Sequence, residues 1–261
     1  DSSNTLAIMA RPPHLAKPSM LRSLLRRCFK LLLAAAVTSV VLVVVMRWVP
    51  PLGSALMLER KVESWLDGKP IDLQRQWRPW EQLPDDLKIA VIAAEDQKFA
   101  EHWGFDLAAI RSALAHNERG GSLRGASTLS QQVAKNLFLW SGRSWLRKGL
   151  EVWFTGLIEL CWSKQRILEV YLNTVEWGDG VFGAEAAARA HFGKGAPYLS
   201  KQQAALLAAV LPNPRVWNPA RPSTYVARRA NWIRQQMWQL GGSHYLNQLQ
   251  PQWSLGWTDK P

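Results

Sequence analysis

Residues 90–105 read AVIAAEDQKFAEHWGF. Ala90, Val91, Ile92, Ala93 and Ala94 have helix-forming, core-burying character and run directly into the acidic pair Glu95-Asp96. A carboxylate at the end of such a run sits on a rigid element beside apolar packing. That environment disfavours ionisation and moves a carboxyl group toward the range useful for proton transfer. On these residues alone, a simple solvated helix end is the favoured reading.

Composition narrows the setting. The 261 residues are 48% hydrophobic, enough for one sizeable core with appendages or at most two domains. Thirty-two lysines and arginines against 20 acids give a formal charge of +12, which calls for an anionic partner. Fifteen tryptophans favour a membrane–water interface over nucleic acid as the surface that partner offers. Residues 31–46 carry no charge; at 1.5 Å per residue they reach roughly 24 Å, and Phe29 and the Arg47-Trp48-Val49 flank extend them. An uncleaved single span is expected, because no small-residue cleavage site follows; a signal peptide is the competing reading. Basic residues before the span place the N-terminus in the cytoplasm and most of the chain outside. Cys28 and Cys161 fall on opposite sides of it and cannot pair.

The expected organisation is a basic tail (1–28), a transmembrane helix (29–49), a juxtamembrane helix and connector (50–80) and a main domain (81–261). The main domain reads as helices near 84–96, 105–117, 128–139, 144–173, 183–192, 200–211 and 223–240, with little strand pattern. Thr128-x-x-Gln131 and Ser200-x-x-Gln203 fit capping boxes. In the last helix Val226, Ala230, Ile233 and Met237 share one face, and Arg228, Arg229 and Arg234 read as solvated.

Two further groups carry chemistry. A loop with Gly120, Gly121 and Gly125 enters a helix at Ser127-Thr128, a setting that suits an anion, and Thr128, Gln131, Gln132 and Lys135 follow at helical spacing on one polar face. An ordinary solvated face is the alternative. Arg143, Arg147, Lys148 and Glu151 then stand among Trp140, Trp145, Trp153 and Phe154. Arg147 and Glu151 form either a surface i,i+4 pair or a second carboxylate among pyrophosphate-binding cations. No His or Cys spacing suggests a metal.

The chain resembles the peptidoglycan glycosyltransferases, and most closely their monofunctional, membrane-anchored form. EDQKFAEHWG at 95–104, GASTLSQQVAKN at 125–136, RKGLE at 147–151 and KQRILEVYLN at 164–173 resemble that family's motifs in its order. Gly180-Val181-Phe182-Gly183, Phe192-Gly193-Lys194 and Leu211-Pro212-Asn213-Pro214 continue the likeness, with His191 where Tyr is usual. The resemblance implies a mainly α, lysozyme-like fold with two lobes, one partly sunk in the membrane. It implies lipid II as substrate, polymerised with inversion into β-1,4-linked glycan strands of the cell wall with release of polyprenyl pyrophosphate. Residue by residue, Glu95 becomes the general base and Glu151 the second carboxylate. Lys135 and Arg143 hold the donor pyrophosphate, and Ser127, Gln132, Arg147 and Lys148 line or support that region. Thr128 and Asp96 join the substrate-binding set. No cofactor is implied, and stimulation by a divalent cation stays open. Partners are lipid II, the growing strand and membrane lipids; other wall-synthesis or division proteins stay open, and nucleic acid is not expected. The location implied is the bacterial inner membrane with the catalytic domain outside the cytoplasm. A glycan-cleaving enzyme and an idle membrane scaffold are the rivals. With no Ser-x-x-Lys and few residues after 240, a transpeptidase domain is expected to be absent.

Overall fold

The computed structural model describes residues 20–118, 127–142 and 144–250. The chain divides into two compact units, Asp1–Val41 and Leu42–Pro261. The described part of the first lies within helix α1 (Met20–Met46). Its stretch Arg22–Met46 is long and apolar enough to cross a membrane. Twenty-five residues of helix measure about 37 Å, more than a hydrocarbon core of ~30 Å.

The second unit is built mainly of helices. In chain order they are α2 (Ala55–Leu66), α3 (Asp85–Glu95), α4 (Leu107–Glu118), α5 (Leu129–Phe138), α6 (Trp145–Cys161), α7 (Lys164–Thr174), α8 (Ala184–Phe192), α9 (Lys201–Val210) and α10 (Thr224–Gln239). Leu87 to Ala93 of α3 are buried on every side, so this helix is the axis of the core and packs against α9 and α10. Both expected capping boxes are present, at Thr128–Gln131 and Ser200–Gln203.

One expectation needs correction, and the little strand structure expected is confined to three short segments. Residues 144–173 do not form one helix: the chain is extended at Trp162 and Ser163, and Ser163 caps α7 by accepting from the Arg166 amide at 3.2 Å. A hydroxyl at the N-cap competes with helix continuation, and the break lets Trp162 Nε1 reach the Val43 carbonyl at 2.7 Å. Strand structure is also present. Strands β1 (Gln74–Arg75), β2 (Glu176–Gly178) and β3 (Val181–Phe182) form a sheet ordered β1-β3-β2, with β1 parallel and β2 antiparallel to β3. Segments of two or three residues are too short to show alternation in sequence.

Buried charges join these pieces. Arg60 on α2, only 6% exposed, pairs with Glu63 at 2.6 Å, Glu176 at 3.2 Å and Asp179, tying α2 to the β2–β3 turn. Arg166 donates to the Met46 and Val49 carbonyls at 2.9 and 3.0 Å, satisfying acceptors at the end of α1 that have no helical partner. Glu185 is fully buried and accepts from Arg78 at 2.9 Å, Arg189 at 2.7 Å and the Ala196 amide at 2.8 Å. Burial alone would raise its carboxyl pKa, but these three donors outweigh it and hold the group below its ordinary value. The stability it supplies is therefore complete above the ordinary carboxylate range and is lost as pH falls through the depressed value. Thermal unfolding of Glu185→Gln and the unaltered chain, compared from pH 7 downward, should show a gap in Tm that narrows with acidification. A gap independent of pH would exclude this linkage.

Candidate active site

Glu95 is the last residue of α3, and Asp96 follows as its C-cap in extended backbone. This change of direction sends the adjacent carboxylates apart. Asp96, 8% exposed, accepts from the Leu129 amide at 3.0 Å and contacts His102 Nε2 at 2.9 Å. It thus fixes the N-terminus of α5 against the loop after α3, where a negative charge complements the free amides. Glu95 turns toward the side of α5 and takes the Gln132 Nε2 hydrogen bond at 3.0 Å. Gln132 is oriented in turn by the buried Tyr171 hydroxyl, which donates to its Oε1 at 3.1 Å. With that oxygen occupied, the amide nitrogen is left for Glu95.

Burial pushes the Glu95 carboxyl pKa up. Gln132, Arg229 and Lys135 offset part of this, while Asp96 adds to it. The Glu95 side chain is 16% exposed, so the solvated-end alternative does not hold. Arg229 of α10 lies 3.9 Å from Glu95 Oε1, a residue the sequence reading left in solvent. Helical spacing put Arg229 off the apolar stripe, as observed, but could not show that α10 brings this edge to the end of α3.

Helix α5 does not present one polar face. Thr128 and Gln131 are 2% and 4% exposed and are occupied by the helix cap; Thr128 Oγ1 also donates to the Gly104 carbonyl at 2.7 Å. Ser130 is buried on Glu159. That leaves Gln132 and Lys135, both partly buried, one helical turn apart. Ser127 is exposed just before the cap. Gly104 permits the close packing behind α5: its φ is +80°, and an added Cβ would stand 2.7 Å from Thr155 Cγ2 on α6.

Glu151, 4% exposed on α6, accepts from Arg147 Nη1 at 2.8 Å and Lys148 Nζ at 2.5 Å. A helix-surface pair this is not, since the carboxylate is inside. Burial lowers the Lys135 pKa; Glu151 and Glu59 oppose that, and Arg147 and Lys148 reinforce it. Lys135 therefore lies within electrostatic reach of both Glu95 and Glu151. Glu59 reaches this region from α2 and accepts from the Ser141 amide at 3.0 Å. Its spacing from the other motifs gave no signal. Arg143 and the glycine loop 119–126 lie outside the described residues.

Two carboxylates on different helices are thus each held among cations, Glu95 beside Arg229 and Glu151 by Arg147 and Lys148. A family model described as Transglycosylase matches residues 64–238, which include all of these groups except Glu59. The chain belongs to the transglycosylase family. Its fold is accordingly mainly α and lysozyme-like. Relatives named biosynthetic peptidoglycan transglycosylase include one from Stutzerimonas stutzeri, 73% identical over 91% of this chain and 100% of its own. One from Ectopseudomonas mendocina is 72% identical over 91% of this chain and 98% of its own. One from Pseudomonas aeruginosa is 73% identical over 88% of this chain and 100% of its own. Within this transglycosylase, the residues grouped by motif and those grouped by structure differ in two ways. Asp96 and Thr128 are engaged in holding α5 to the loop after α3, and Arg229 and, through Gln132, Tyr171 join the groups at Glu95.

Proposed function

We propose that this transglycosylase polymerises lipid II, joining disaccharide units by β-1,4 links and releasing polyprenyl pyrophosphate. The observation that carries the reading is the largely buried Glu95 carboxylate, bonded to Gln132 at 3.0 Å one helical turn from Lys135, with Arg229 3.9 Å away. Glu95 takes the proton from the acceptor 4-hydroxyl as that oxygen attacks the donor anomeric carbon. Its raised pKa suits a base that must accept a proton in the transition state. Attack on the face opposite an α-linked pyrophosphate gives a β link in one displacement, with inversion.

Pyrophosphate is already a good leaving group and needs positive charge more than an acid. Lys135, Arg147 and Lys148 supply it, and the motif resemblance assigns Arg143 and Ser127 to the same role. Glu151 holds Arg147 and Lys148 in place through its two ion pairs. Asp96 and Thr128 act through the position they give to α5. A glycan-cleaving enzyme would have no use for this group of cations.

The substrate is lipid-borne, which accounts for an apolar helix at the start of the chain. The N-terminus lies in the cytoplasm and the catalytic unit faces outward from the inner membrane. Trp145, Leu146, Val152, Trp153 and Leu160 of α6 are exposed, and they contact membrane lipids.

Full chain in detergent micelles or nanodiscs, given labelled lipid II, should yield polymer and free polyprenyl pyrophosphate. Soluble fragments released from purified peptidoglycan, with no polymer formed from lipid II, would instead favour cleavage. The pH profile adds a second test. A base with a raised pKa loses activity as pH falls, at higher pH than an ordinary carboxylate of about 4.3. Arg229 favours the ionised form of Glu95, so Arg229→Ala should move the acid limb of kcat/KM to still higher pH. An unmoved limb would remove Arg229 from this role.

A further inference from the structure

A second region of the molecule has a different character. Just past the apolar helix, Pro50 and Pro51 open a cavity of about 550 Å³. Leu52, Leu58, Leu73 and Trp77 give it apolar walls, and Lys61 and Arg75 are the charged residues in its lining. No acidic side chain lines it among the described residues.

Arg75 is unusual for a half-buried guanidinium. Its nitrogens donate to the carbonyls of Asn173 at 3.2 Å, Leu52 at 2.9 Å and Pro51 at 2.6 Å, and it stacks over Trp77. These acceptors are neutral, and no carboxylate lies within ion-pair distance of it among the described residues. Burial accordingly lowers its pKa with nothing offsetting the shift. Lys61 is exposed and likewise has no ion pair among the described residues. A partly buried guanidinium without a counter-charge is costly, and an anion beside Arg75 would offset that cost, with exposed Lys61 adding a second positive charge to the same lining. Leu52, 99% exposed, and Leu58, 65% exposed, place apolar surface at the mouth of the same cavity.

We propose that this cavity binds an anionic phospholipid, its phosphate meeting Lys61 and Arg75 and its chains lying along Leu52, Leu58 and Leu73. Charge complementarity selects the headgroup, and the position of the cavity four residues beyond Met46 supplies the source. The inference rests on the reading of α1 as a membrane span. It concerns a site separate from the groups at Glu95 and Glu151, and Lys61 touches none of them.

The test uses full chain in nanodiscs of phosphatidylcholine with a minor fraction of phosphatidylglycerol, ejected for native mass spectrometry. Unaltered chain should retain phosphatidylglycerol in preference to phosphatidylcholine. Lys61→Glu should lower that retention about tenfold, whereas Lys69→Glu, an equal change of charge outside the cavity, should leave it nearly intact. Equal losses in both variants, or no preference in the unaltered chain, would overturn the proposal. Displacement of phosphatidylglycerol by added polyprenyl pyrophosphate at equal concentration would assign the cavity to the lipid carrier instead and likewise overturn it. Co-sedimentation of all three proteins with plain phosphatidylcholine vesicles checks the span separately: its failure would sink the anchoring reading and with it the bilayer as the source of the lipid, whereas loss of headgroup preference in chain that still co-sediments would sink the cavity alone.

Discussion

Glu95→Gln lowers polymerisation of labelled lipid II by about 10²- to 10⁴-fold, the range a positioned general base contributes. The substitution keeps the shape of the side chain and an acceptor for Gln132, so binding of lipid II changes little and the loss falls on kcat. Its effect on stability goes the other way. A carboxyl group whose folded pKa is raised ionises more readily in the unfolded chain, so at neutral pH it works against folding. Glu95→Gln should therefore unfold at the same temperature as the unaltered protein or a higher one. Activity measured beside Tm separates the two effects. Near-normal polymer yield would refute Glu95 as the base, and a sharp fall in Tm would show that the residue holds the fold.

Lys135→Ala is the second large effect. Removing one preorganised charge from a partly buried anion site costs about 10²- to 10³-fold in turnover, and the remaining cations cannot move into the gap. Lys135 lies one helical turn from Gln132, which bonds Glu95, and the loss should appear as weaker donor binding together with a lower kcat. Burial lowers the lysine pKa, so the basic limb of the profile should lie below that of an ordinary lysine. Lys135→Arg restores charge at all accessible pH values and should remove that limb while recovering part of the rate. Unchanged donor affinity in Lys135→Ala would take the residue out of the pyrophosphate site.

Particular residues show how much of this was legible beforehand. The capping boxes at Thr128 and Ser200 could be read because a cap is settled within four residues. The apolar faces of α3 and α10 were legible for the same local reason. The break at Trp162-Ser163 was not. Ser is tolerated within helices, and the hydrogen bond from Trp162 to Val43, 119 positions away, which accompanies the break, leaves no local signal. Arg60 and Glu185 carry no sequence signal of burial, because their partners come from distant segments. The Glu95-Asp96 pair is the clearest case. Its position beside a buried helix could be seen, but the division of labour between its members could not.

What the chain order fixed alone is therefore local: an apolar run long enough for a span, the helix caps, the apolar stripes, and the motifs that mark the family. Each depends on neighbours within a few turns, which a linear reading can inspect. Only the tertiary structure decided that Asp96 braces α5 while Glu95 faces Gln132 and Arg229, and that Lys135 stands in reach of both carboxylates. Burial and electrostatic coupling depend on distance through space, and helices far apart in the chain must pack before those distances exist.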